Sequence, residues 1–188
     1  MNSPSNSLPK SKVSGSMPAK SNLPGIVRWM LCTLGRNSKR CVRVLAISSG
    51  GGHWVQLQRL RPAFEGCDLA FATVFDGYRS EISDARFYLV PDSNIRDKFA
   101  MFRTALKVLT VLVRERPDVI VSTGAAPGYF ALYFGKWMGA RTIWIDSLAN
   151  AEKLSLSGQK AGCCADLWLT QWPHLAGGNG PQFHGSVI

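Results

Sequence analysis

Short apolar runs alternate along this chain with stretches whose apolar residues recur every three or four positions. The runs fall at residues 42–47, 69–75, 86–90, 118–122, 141–145 and 166–170, each stopped by Gly, Pro, Asp, Ser or Gln. Near-continuous apolar runs of this length predict strands buried on both faces. The helical periodicity falls at 54–64, from Arg96 or Asp97 to Glu115, from Pro127 to Met138, and around 157–164. Arg116-Pro117 ends the second of these, because the residue before a proline is pushed out of helical backbone angles. Pro127 suits the first turn of the third. Strands alternating with helices predict an α/β fold, a Rossmann-like parallel sheet with helices on both faces.

In such a sheet ligands bind beyond the carboxyl ends of the strands. Three segments lie at such ends. Ser48-Ser49-Gly50-Gly51-Gly52-His53 follows the first strand, Thr123-Gly124-Ala125-Ala126-Pro127-Gly128 the fourth, and Asp146-Ser147 the fifth. They are far apart in sequence and are expected to meet along one edge. Glycines between a strand and a helix leave backbone N–H groups open at the helix N-terminus, where the dipole favours an anion. Ser49, Gly50, Gly51, Gly52, Thr123, Gly124, Gly128 and Ser147 are the candidate substrate-binding residues, for a phosphate-bearing substrate. Histidine is the side chain suited to proton transfer near neutral pH, and His53 is the first candidate for the chemistry; an ordinary helix-start histidine is the plainer alternative. Asp146 either caps the turn that follows or orients a sugar hydroxyl and accepts its proton.

Spacing excludes several classes. Position 55 is Val, so the glycine loop fails G-x-G-x-x-G, and no glycine is followed by Lys and then Ser or Thr. No G-x-S-x-G elbow is present. The five cysteines include no CxxC and no Cys/His cluster with ligand spacing, so they predict reduced thiols, no metal and no cofactor.

Charge changes the picture at the N-terminus. The net charge is +10, but residues 1–41 hold seven Lys/Arg and no Asp/Glu. The remainder is only mildly basic, and without interleaved aromatics in a groove no nucleic-acid partner is expected. Residues 1–22 read as a disordered basic leader. Residues 23–40 hold an apolar stretch interrupted by Arg28, too short for a bilayer span of about 20 residues. Trp29, Met30 and Leu31, flanked by Arg28, Arg36, Lys39 and Arg40, suit either a helix lying in an anionic membrane surface or one packed on the domain. The domain itself is expected over 41–188. Its long helix carries Arg103 and Lys107 beside an apolar circumference, which fits burial against the sheet or an edge resting on phospholipid.

These residues resemble a known family. Ser-Ser-Gly-Gly-Gly-His at 48–53 and Ser-Thr-Gly-Ala-Ala-Pro-Gly at 122–128 are similar to the glycine loops in the N-terminal half of MurG-like glycosyltransferases of family 28. Ile145-Asp146-Ser147, Lys153–Gly158 and Ala165–Pro173 resemble the acceptor-side subunits of split enzymes. These are the PssD-type exopolysaccharide proteins and the membrane-anchoring subunit of the eukaryotic dolichol-linked N-acetylglucosaminyltransferase. The resemblance spans about 42–188 and implies the N-terminal half of a GT-B enzyme. It implies a hexosyltransferase subunit active only with a donor-binding, PssE-like partner that supplies the nucleotide-sugar. The acceptor would be a polyprenyl-diphosphate-linked glycan, the donor sugar glucuronosyl or N-acetylglucosamine, and the setting bacterial exopolysaccharide assembly. The protein would sit on the cytoplasmic face of the inner membrane, peripheral or monotopic. By position Gly50, Gly51 and Gly52 would face the diphosphate or the reacting centre, and His53 would be the base candidate. The relatives' His-Glu-Gln-Asn stands here as Ile145-Asp146-Ser147-Leu148, a departure that bears on Asp146. A scaffold that only recruits its partner, and a stand-alone sugar-nucleotide enzyme, are the rival functions.

Overall fold

A computed structural model describes residues 22–35, 41–93 and 96–187. The leader expected over 1–22 falls outside these except for Asn22, as do Arg36, Lys39 and Arg40.

Strands β1 (Arg43–Ile47), β2 (Asp68–Thr73), β3 (Arg86–Leu89), β4 (Val119–Ser122), β5 (Arg141–Ile145), β6 (Leu167–Thr170) and β7 (Gln182–Phe183) form one sheet. Its order is β3-β2-β1-β4-β5-β6-β7, with every pairing parallel. Helices α1 (Leu23–Gly35), α2 (Gly52–Arg59), α3 (Lys98–Glu115), α4 (Ala125–Trp137) and α5 (Leu156–Ala161) complete the chain. Successive strand side chains point to opposite faces, so each central strand feeds two cores. Val44 and Ala46 of β1, Val121 of β4 and Ile143 and Ile145 of β5 pack with Trp54 and Leu57 of α2 and with Leu23, Ile26, Val27 and Leu31 of α1. Leu45 and Ile47, Ile120 and Trp144 point the other way, against Val108, Val111 and Leu112 of α3 and Ala131 and Leu132 of α4.

Helix ends follow local chemistry. Asp97 caps α3 by accepting from the amide of Ala100 (2.9 Å), and Arg116 closes it with φ 44°. The run expected as one helix to residue 64 breaks instead. α2 stops at Arg59 and Arg61–Phe64 form a 3-10 turn with Pro62 in its first turn. Three elements carried no sequence signal, the 3-10 segments Asp76–Glu81 after β2 and Pro173–Leu175 after β6, and the short strand β7.

The segment left between lipid and domain packs on the domain. α1 buries Leu23, Ile26, Val27 and Leu31 in the same core as α2, and Arg28 donates to the Pro62 carbonyl (3.0 Å) and Glu65 (3.2 Å). No described helix is long and apolar enough to cross a membrane.

Candidate active site

The chain leaves β1 for β2 and β3 on one side, then returns to place β4 on the other. The crevice between the carboxyl ends of β1 and β4 is therefore the topological switch point, where open α/β sheets bind ligands. Both glycine loops end there.

The first loop begins with Ser48, fully buried, whose hydroxyl donates to the Ser49 carbonyl (2.9 Å). Gly51 turns at φ 64°, a left-handed angle that a glycine adopts without cost, and Gly52 opens α2. A Cβ at Gly51 or at Gly52 would meet nothing within 4 Å, so both face open space. The amides of Gly50, Gly52 and His53 find no acceptor among the described residues. The Ser49 hydroxyl finds no partner there either.

His53 is tied to the second loop twice. Its Nδ1 lies 2.8 Å from the Thr123 carbonyl, and the Thr123 hydroxyl donates to the His53 carbonyl (2.7 Å). A carbonyl oxygen only accepts, so Nδ1 carries a proton, and the tautomer this selects is the one whose free nitrogen is Nε2. That nitrogen has no partner among the described residues. The ring lies close against Gly124, where an added Cβ would stand 2.4 Å from the imidazole Cε1. Gly124 at φ 139° and Ala125 at φ 66° carry the chain into α4. A positive φ at alanine costs about 1–3 kcal/mol, and here it lets the loop turn directly beneath the histidine.

Several expected contacts prove to be supports. Thr123 is buried and holds His53 rather than facing the crevice. Gly128 is buried where a Cβ would sit 1.9 Å from the Ser122 hydroxyl, so it permits α4 to pack on β4. Asp146 is 1% exposed and does not reach the crevice. Its Oδ1 accepts from the hydroxyl of Ser155 (2.7 Å), the N-cap of α5, and from the Trp144 indole (3.4 Å); its Oδ2 accepts from the Ser155 amide (3.0 Å). Asp146 does not itself cap the turn that follows; its two carboxylate oxygens hold Ser155, the residue that caps α5. Ser147, 4% exposed, accepts from Gln56 of α2 (3.1 Å). Gln171 donates to Gln56 (2.8 Å) and to the Asp146 carbonyl (2.9 Å), and the Val187 amide donates to Gln171 (2.9 Å). This buried amide network locks the β5 and β6 ends behind the histidine, and nothing in the sequence pattern announced it.

A further residue stands at the crevice from the neighbouring strand. The 3-10 segment after β2 brings the Tyr78 hydroxyl to the Gly51 amide, which donates to it (2.9 Å). The Tyr78 ring stacks on Trp54 of α2 (4.7 Å, 8°), and the Trp54 indole donates to Glu81 (2.9 Å). No sequence signal marked Tyr78, because its place at the crevice depends on β2 pairing with β1.

The residues expected at a membrane separate. Leu31 is buried in the core, Trp29 and Met30 are half-buried, and Arg103 and Lys107 are exposed. Beside the last two, α3 exposes Phe99 (71%), Phe102 (60%) and Leu106 (49%).

The profile of the family described as "Oligosaccharide biosynthesis protein Alg14 like" matches residues 76–186, more than half of the chain. The chain is 28% identical over 174 residues to the UDP-N-acetylglucosamine transferase subunit ALG14 of Eremothecium gossypii, covering 76% of this chain and 77% of that one. It is 33% identical over 90 residues to the subunit of that name from Yarrowia lipolytica, covering 45% and 40%. The fold is similar to that of Acinetobacter baumannii MurG, with a TM-score of 0.63 at 9% identity over 78% of this chain and 46% of MurG. It is also similar to that of the UDP-GlcNAc 2-epimerase of Methanocaldococcus jannaschii, at 0.52 and 10% identity over 68% of this chain and 38% of that one. The chain thus spans less than half the length of these folds.

Proposed function

The chain belongs to the Alg14-like family of oligosaccharide biosynthesis proteins, and from that premise we propose that it is the acceptor-binding, membrane-associated subunit of a two-component glycosyltransferase. The observation that carries this is the clasp between His53 and Thr123 at the switch point, which engages Nδ1 and leaves Nε2 without a partner among the described residues, next to a loop with open amides. The amides of Gly50, Gly52 and His53 suit the diphosphate of a polyprenyl-linked acceptor. Nε2 is set to take the proton of the acceptor hydroxyl as that oxygen attacks the anomeric carbon of the donor sugar and the nucleoside diphosphate leaves with the electron pair of the broken C–O bond. Nucleotide and sugar would be held by a partner subunit closing the other wall of the crevice, as the second half closes a GT-B enzyme.

Names of the relatives specify UDP-N-acetylglucosamine, which favours N-acetylglucosamine as the donor sugar. The finer form of the reading, with a glucuronosyl donor, an exopolysaccharide product, a PssE-like partner and the bacterial inner membrane, rests on the PssD-like blocks at 145–173. The outer face of α3, with Phe99, Phe102, Arg103, Leu106 and Lys107, is the membrane contact in this reading. A non-catalytic scaffold is the rival, since the relatives are named as subunits.

Sugar transfer to a lipid-linked acceptor, assayed with the chain alone and then with a donor-binding partner, tests the proposal. Activity is expected only with both chains, and transfer by the chain alone would sink the two-component reading. Full activity of His53→Ala in the complex would leave the scaffold standing.

A further inference from the structure

We infer that Tyr78 is a substrate-binding residue, whose hydroxyl links the Gly51 amide to the diphosphate of the acceptor. The inference rests on the glycine loop's reading as a diphosphate site and adds a side chain to a cradle otherwise made of backbone.

The hydroxyl already accepts from the Gly51 N–H at 2.9 Å. That bond takes one lone pair and leaves the phenolic hydrogen with no acceptor among the described residues. A hydroxyl polarised by accepting from an amide is a stronger donor in its turn. It also stands over the loop itself, since a Cβ at Gly50 would lie 3.7 Å from the Tyr78 oxygen, in ordinary contact. Among the three glycines, Gly51 is thus the one whose amide is already engaged, while those of Gly50 and Gly52, and that of His53, stay open around it. A phosphate oxygen entering this ring of donors would meet the Tyr78 hydrogen at the place where Gly51 no longer has one to offer.

The position is built rather than incidental. The ring is held between Trp54, stacked at 4.7 Å, and Phe75, edge-on at 5.0 Å. The segment that carries it is pinned by the Trp54–Glu81 hydrogen bond and by Arg79 over the Phe87 ring at 4.7 Å. None of these contacts uses the hydroxyl, so a phenylalanine would serve the packing equally well. Only the Gly51 amide, and a ligand beyond it, account for the oxygen.

Calorimetric titration of the full chain with inorganic pyrophosphate and with a soluble fifteen-carbon isoprenyl diphosphate tests this, using two variants. Tyr78→Phe keeps the stack and removes the hydroxyl. Gly52→Val fills the open space before the amides. Both probes are expected to bind the wild type, and Tyr78→Phe is expected to weaken each about ten-fold, the loss of one hydrogen bond to a charged group. Its unfolding temperature should not change. In the two-chain complex the same variant should raise KM for the lipid-linked acceptor about as much, with kcat nearly unaltered. Weaker binding by Gly52→Val together with equal or tighter binding by Tyr78→Phe overturns the role of Tyr78 and leaves the loop intact. Failure of the wild type to bind either probe, or indifference to Gly52→Val, removes the loop reading and the inference with it.

Discussion

Two side chains at the carboxyl edge of the sheet were candidates for proton transfer, and their surroundings separate them. His53 is held by Nδ1 and keeps Nε2 open, whereas Asp146 spends both oxygens on Ser155 and Trp144. Replacing His53 by alanine should lower turnover in the two-chain complex about 10²–10⁴-fold, the usual range for a lost general base. Gly124→Ala should approach that loss while deleting no reacting group, because its Cβ would displace the imidazole from 2.4 Å. Asp146→Asn turns an amide NH₂ toward a donor, and should cost about 1–3 kcal/mol of stability. Its activity should fall only as far as thermal unfolding shows that the fold has loosened; a fall in kcat with unchanged stability would restore Asp146 to the chemistry. The glycine loops and His53 were legible in the sequence because glycine runs at strand ends have a local signature. Tyr78, the positive φ of Ala125 and the Gln56–Gln171 bond were not, since each depends on which separated segments become neighbours.

Elements were read best where burial was greatest. Fully enclosed β1, β4 and β5 show as apolar runs, and their ends match to within a residue or so. Both residues of β7 are exposed, so that strand leaves no apolar trace. The N-terminal helix was ambiguous for a physical reason: one apolar stripe on α1 buries equally well on lipid or on protein. Leu31→Ala distinguishes the two. Packed as observed, it should cost about 2–4 kcal/mol in thermal or denaturant unfolding without lipid, and no loss would return α1 to the membrane. Asp166 offers a pH test of how α4, β5 and β6 are joined. Burial alone would raise its pKa, but the Lys136 ammonium and the Thr142 amide and hydroxyl outweigh that and hold it below its ordinary 3.8. Its contribution is therefore complete above that ordinary value and is lost as pH falls through the depressed one. Asp166→Asn should lower stability by about 2 kcal/mol at neutral pH, or roughly 2–4 °C for each kcal/mol. The gap between variant and wild type should close in melts below about pH 4; a gap constant through that range would rule out the ionised pair as its source.

For the whole molecule the question is how the crevice would meet the lipid-anchored acceptor proposed for it. α3 runs from the carboxyl edge, where Thr104 donates to the Pro91 carbonyl beyond β3 (3.0 Å), toward the opposite edge at Arg116. Its outward stripe of Phe99, Phe102, Leu106 and Val113 therefore starts on the same edge as His53 and extends away from it. α4 packs beside α3 and exposes Tyr133 and Trp137, the latter at 81%. Arg103, Lys107 and Arg114 accompany the stripe on α3, and Lys136 stands on α4. Apolar side chains with a cationic rim suit an anionic bilayer, and a molecule lying on this face would bring its active edge alongside the headgroups. Sedimentation with vesicles separates the two contributions. Wild-type protein should bind phosphatidylglycerol vesicles more tightly than phosphatidylcholine ones, and added salt should narrow the difference. Arg103→Glu combined with Lys107→Glu should abolish the preference, since each basic residue near the surface contributes about 1 kcal/mol. Phe99→Ser combined with Phe102→Ser should weaken binding to both vesicle types without lowering the unfolding temperature, because these rings are exposed in the free protein. Unchanged sedimentation of both double variants would place the lipid contact elsewhere on this chain, whereas failure of the wild type to sediment with either vesicle would transfer membrane attachment to the partner subunit, with α3 presenting its apolar face to that chain instead.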